Sequence, residues 1–177
     1  MNIKWGLKVS RRAKYTPQQI ANFFIKKAKE QNVELTKIKL MKLIYIAYAW
    51  YLAHKNEDLF DEPIEAWKCG KVVPSIYNEL RKTLGNRVSS YVQDQFINNS
   101  DIQEDKVLRI CLDGPWQLYK NMDDFQLVAT LHEEDSPWFK VYKPNQNNIV
   151  NTEENKPLIK QGAYKGIEKL YNLLGLR

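Results

Sequence analysis

Histidine and cysteine are scarce, with two of each in 177 residues. Cys69 and Cys111 have no metal-ligand spacing and cannot form a disulfide framework, which points to a reducing cytoplasm. His132-Glu133-Glu134-Asp135-Ser136 gathers hydrolase-type residues. Yet a Ser-His-Asp site is a spatial arrangement that adjacency in sequence does not create. A zinc-protease helix would also need a second histidine four residues after His132. Gly70-Lys71 lacks the upstream glycine and the following Ser/Thr of a phosphate loop. No catalytic residue, metal or other cofactor is therefore expected, and the chain reads as a non-enzyme. Long hydrophobic runs are missing too. The longest, Leu43 to Ala53, has eleven residues, against about 18–20 needed to cross a bilayer. Residues 1–9 have no apolar segment of signal-peptide type. Acidic residues are absent before Glu30, while eight Lys/Arg occupy the stretch up to Lys29.

What is present is a strong helical pattern. Hydrophobic residues make up 44% of the chain and aromatics 12%, values of a folded protein. Thr36 is placed to cap a helix running to Asn56, with no Gly or Pro inside it. Its middle is apolar all round, so it reads as a buried central helix; His54 falls at its end, where it can meet the last carbonyls. Thr16-Pro17-Gln18-Gln19 has the form of a capping box before an amphipathic helix with Ile20, Phe23, Phe24 and Ala28 inward. Pro63, Gly70 and Pro74 exclude helix between them, and residues 64–73 read as a small extended element. Pro74 opens a helix with Ile76, Tyr77 and Leu80 inward. Residues 87–105 read as irregular, anchored by Tyr91, Val92, Phe96 and Ile97. A helix over 104–112 is expected to break at Gly114-Pro115. Asp123 or Asp124 caps a further helix, and Ser136-Pro137 starts another. Residues 145–154 read as a polar loop. The last helix, from Leu158 to Leu174, has Ile159, Ala163, Ile167, Leu170, Tyr171 and Leu174 on one face and stops at Gly175. The expectation is a mainly α fold: a basic arm at 1–15, then one compact helical domain over 16–177.

Charge is divided unequally. Residues 1–45 hold eleven Lys/Arg and two acids; the remainder holds sixteen and nineteen. A basic head on a mildly acidic body suits an acidic protein partner, nucleic acid, or a merely solvated face. The candidate partner-binding residues are Arg11, Arg12, Lys26 and Lys27 of the head, with Trp67, Lys68 and Lys71 at the glycine turn. Nucleic acid is less favoured, because the central helix is too apolar for a major groove. Trp67 and Trp138 are either core residues or interaction anchors.

Several short motifs occur in a characteristic order: Lys39-Leu40-Met41-Lys42-Leu43-Ile44-Tyr45, Trp50-Tyr51-Leu52-Ala53, Leu59-Phe60-Asp61-Glu62-Pro63-Ile64-Glu65-Ala66-Trp67, Gly70 with Val72-Val73-Pro74 and Tyr77, and His132 with Ser136-Pro137-Trp138. Together they resemble the Panacea domain of the SocA-like antitoxins, a family that includes GepA-type phage-associated proteins. The resemblance runs from Pro17 to Trp138. It departs at Cys69 and Lys71, where the family has an aromatic and a proline, and at Leu131, where it has threonine. The resemblance implies an antitoxin that binds and neutralises a toxin encoded beside it. In one branch of the family an ATP-dependent protease is a second partner, the antitoxin acting as adaptor.

Overall fold

Two capped helices open the described chain, which in this computed structural model comprises residues 13–68, 70–92, 100–131, 136–150 and 152–176. Helix α1 (Pro17–Glu30) begins with the expected capping box: the Thr16 hydroxyl accepts from the Gln19 amide, and the Gln19 side chain accepts from the Thr16 amide at 2.8 Å. A cap of this kind is worth about 1 kcal/mol. Ile20, Phe24 and Ile25 are fully buried, and Asn32 at φ 51° reverses the chain. Helix α2 (Lys37–Lys55) follows at once. The Thr36 hydroxyl caps the Lys39 amide at 3.0 Å, and Asn56 ends the helix in the left-handed conformation. Every α2 residue from Lys39 to Leu52 is buried. His54 Nδ1 lies 2.8 Å from the Trp50 carbonyl, within the last turn.

The other elements pack around α2. They are β1 (Glu65–Trp67), β2 (Gly70–Val72), α3 (Pro74–Leu80), α4 (Ser100–Glu104), α5 (Lys106–Tyr119), α6 (Asp124–Leu131), α7 (Pro137–Val141), β3 (Asn148–Ile149) and α8 (Thr152–Leu173). Helices α1, α3, α5, α6 and α8 and strand β2 all touch it, and the buried apolar side chains form one cluster. The fold is thus mainly helical with one small antiparallel sheet, ordered β2-β1-β3. Among the described residues no helix is long and apolar enough to cross a membrane.

Several local expectations need correction. Helix α5 continues through Gly114-Pro115 instead of breaking there. Pro115 cannot donate to the Cys111 carbonyl, but close packing supplies the compensation. A Cβ on Gly114 would stand 2.3 Å from Trp50 Cζ3, so only glycine lets α5 approach α2 this closely. Helix α8 starts at Thr152, inside the expected loop, and continues through Pro157, whose missing amide leaves the Glu153 carbonyl without that intrahelical donor. The same loop supplies β3, because Ala66 and Glu65 offer a free strand edge to Asn148 and Ile149. Ile102 is buried on the short helix α4, and Val92 is buried and locked by two bonds to the Asn22 amide, whereas the expected anchor Tyr91 is 51% exposed. Tyr77, Tyr171 and Leu174 are exposed rather than inward, at 38%, 49% and 55%. Residues 1–12, including Arg11 and Arg12, lie outside the described residues, as do Cys69, Phe96, Ile97 and His132 to Asp135. Tyr15, assigned to the arm, is buried and donates to Asp105.

Candidate partner-binding groove

The expected residues Trp67, Lys68 and Lys71 converge on a groove of about 470 Å³ between the first half of α2, the β1–β2 hairpin and α3. Helical spacing puts Lys37, Ile38, Met41 and Lys42 on one face of α2. The hairpin register pairs Trp67 with Gly70 and Glu65 with Val72. Trp67 and Val72 therefore share a face of the sheet, and Lys68 stands at the exposed tip. Gly70 has φ 108°, a conformation costly for any side-chain-bearing residue. Pro74 then turns the chain into α3, which contributes Tyr77, Leu80 and Arg81 to the opposite wall.

The walls are held firmly. Trp67 packs edge-on against Tyr77, ring centroids 4.5 Å apart, and its indole nitrogen donates to Glu65 at 2.7 Å. The Trp67 carbonyl accepts from the indole of Trp138 at 2.6 Å, which ties the hairpin to α7. Trp138 itself stacks on Tyr142. Lys37 donates to the Thr83 carbonyl at 2.7 Å, so the loop after α3 is tied to the start of α2. Nearby carboxylates are engaged: Glu62 caps the Ser75 amide and Glu79 pairs with Lys82.

The lining is apolar below and cationic around it. Ile38, Met41, Val72 and Leu80 supply aliphatic surface, while Lys37, Lys42, Lys68, Lys71 and Arg81 supply positive charge. Among the described residues no Asp or Glu lines it. Lys42 and Lys71 are each 2% exposed. Lys71 donates to the Leu131 carbonyl at 3.1 Å, at the negative end of α6, and its ammonium lies 5.0 Å from the centre of the Tyr45 ring. It lies beneath the groove and offers no ammonium to solvent.

The basic residues of α1 are elsewhere. Lys26 is exposed beside Glu30, and Lys27 pairs with Asp113 of α5 at 2.9 Å while packing on Phe23. Neither lines the groove. Conversely, Lys37, Lys42, Tyr77 and Arg81 escaped sequence reasoning. The available signal was Lys42 inside an otherwise apolar helix, at the spacing that aligns it with Ile38.

The Cys111 thiol is buried and pushed up to about 12, chiefly by desolvation and then by Asp105, so it is held protonated and inert. Among the described residues no group of three His, Cys, Asp or Glu could hold a metal ion.

Comparison with known proteins adds a family. The model of the SocA-like antitoxin Panacea domain matches residues 40–139, which take in the groove apart from Lys37 and Ile38. Antitoxin SocA of Caulobacter vibrioides (strain NA1000 / CB15N) is 28% identical over 133 residues, covering 67% of this chain and 66% of its own length, just under two thirds. No solved structure shows significant similarity.

Proposed function

Because the chain belongs to the SocA-like antitoxin family with a Panacea domain, we propose that it neutralises a cognate toxin, encoded beside it, by direct protein–protein binding. Family membership supports an antitoxin role, and the relative's printed name is that of an antitoxin. The observation that carries the binding reading is the groove. It joins a half-buried aromatic anchor, Trp67, to exposed cations at Lys68 and Arg81 on a rigid frame. Aromatic anchors and arginines dominate binding energy at protein interfaces. Trp67 and Lys68 are thus the primary contact region, with Lys71 buried beneath them. Arg11, Arg12, Lys26 and Lys27 form the secondary candidate surface. The reading is of a regulator acting in the cytoplasm by contact, without catalysis.

The test is purification of the chain with the product of the neighbouring reading frame. The proposal expects a stoichiometric complex by light scattering and loss of the toxin's activity within it. Toxin abundance in cells then separates two modes. Masking leaves it unchanged, whereas delivery to an ATP-dependent protease lowers it. If the purified proteins fail to associate at micromolar concentration, direct neutralisation is wrong.

A further inference from the structure

We infer that the groove seats an acidic linear segment of the partner, with one bulky apolar side chain inserted among Ile38, Met41, Leu80 and the Trp67–Tyr77 pair. This rests on the toxin-binding reading and names the chemistry of the surface recognised. Three observations lead to it. The groove is a recess of about 470 Å³, within the roughly 300–1,000 Å³ of ligand clefts. Its floor is aliphatic, which rewards an apolar insert through desolvation. Its charge is of one sign among the described residues, with five Lys/Arg and no carboxylate in its described lining.

The cations divide by depth. Lys37, Lys68 and Arg81 reach the rim, where carboxylates flanking the anchor can meet them. Lys42 and Lys71 lie beneath, buried and engaged within the fold. A basic partner segment would face the rim cations Lys37, Lys68 and Arg81, so the arrangement rejects as well as selects. Nucleic acid fits less well: phosphates need exposed ammonium groups, and two of the five cations are buried below an apolar floor. Leu84 is 99% exposed in the loop held by Lys37, and Phe125 is 84% exposed beside Asp124, which accepts from Asn86 of that loop.

The experiment uses the complex with the neighbouring-frame toxin. A photoreactive benzoylphenylalanine replaces exposed Tyr77, and the cross-linked toxin peptide is identified by mass spectrometry. The expected result is a single stretch of net negative charge containing a bulky apolar residue. A synthetic peptide of that stretch should compete with toxin, and Lys68→Glu with Arg81→Glu should weaken its binding at least about tenfold. Lys106→Glu, an exposed reversal on α5 outside the groove, should leave peptide affinity unchanged. Cross-links to a basic or wholly polar stretch would overturn the inference, as would an intact complex giving no cross-link at Tyr77. ATP displacing toxin while the peptide does not would overturn it in favour of a nucleotide site. Failure of the complex to form at all removes the toxin-binding reading, and the inference with it.

Discussion

Trp50 lies between two helices that approach it with bare Cα atoms. A Cβ on Gly114 would stand 2.3 Å from its ring, and one on Gly166 3.1 Å from its indole nitrogen, while Gly162 has nothing within 4 Å. The indole is 1% exposed. Gly114→Ala should therefore cost about 1–3 kcal/mol through overpacking, and Gly166→Ala less. Gly162→Ala should stabilise α8 by up to about 1 kcal/mol through helix propensity. Urea midpoints in that order would support the packing account; a Gly114→Ala midpoint equal to wild type would contradict it. Asp105 shows a different single-residue effect. It caps α5 through the Leu108 amide at 2.9 Å and accepts from the Tyr15 hydroxyl at 2.9 Å. Desolvation raises its pKa, but these bonds with the charges of Lys14 and Lys55 outweigh it and hold the carboxyl below its ordinary value. A depressed carboxyl contributes stability above its unfolded pKa of about 4, and that contribution is lost as pH falls through the folded value. Asp105→Asn keeps the cap but removes the charge. It should be less stable than wild type at pH 7, with the gap closing below about pH 4. A gap independent of pH would refute the assignment.

The hairpin is the element that shapes the groove, and its support comes from α7. Trp138→Phe would leave the Trp67 carbonyl without its indole donor, at a cost of about 1 kcal/mol. Hydrogen exchange should quicken at β1 and β2 while α2 keeps its protection. Equal exchange throughout would show that the bond does not hold the hairpin. Elements with local chemical signals were legible in the sequence. The capping residues Thr16, Thr36 and Ser136 and the stops at Asn56 and Gly175 all act as such. What was not legible depended on tertiary partners. Continuity of α5 past Pro115 needs the Trp50 contact, and β3 exists only because β1 offers an edge. The groove was half legible for the same reason. Trp67, Lys68 and Lys71 share one turn, but Lys37, Lys42 and Arg81 join them only through the packing of α2 against β2 and α3.

At the scale of the molecule, α2 concentrates tyrosines in the core. Burial raises the pKa of Tyr45, and burial with Asp58 and Asp105 raises those of Tyr48 and Tyr15; Tyr51 is pushed up to about 12, mainly by desolvation. These phenols stay protonated in the fold. Their contribution is complete below the unfolded value of about 10 and is lost as pH rises above it. Stability should hold to about pH 10 and then fall, with tyrosine ionisation and unfolding in one transition. Ionisation of these phenols well before unfolding would contradict their burial. The basic charge is likewise reorganised by folding: Lys27 is spent on Asp113, whereas Lys68 and Arg81 remain exposed at the groove. That distinction yields the most direct test of the account. Growth rescue is measured on co-expression with the cognate toxin, comparing wild type, Lys68→Glu with Arg81→Glu, and Lys26→Glu. The account predicts that the groove pair loses rescue while its thermal melt stays within a few degrees of wild type, and that Lys26→Glu rescues more fully than the pair. Full rescue by the folded groove variant would contradict it.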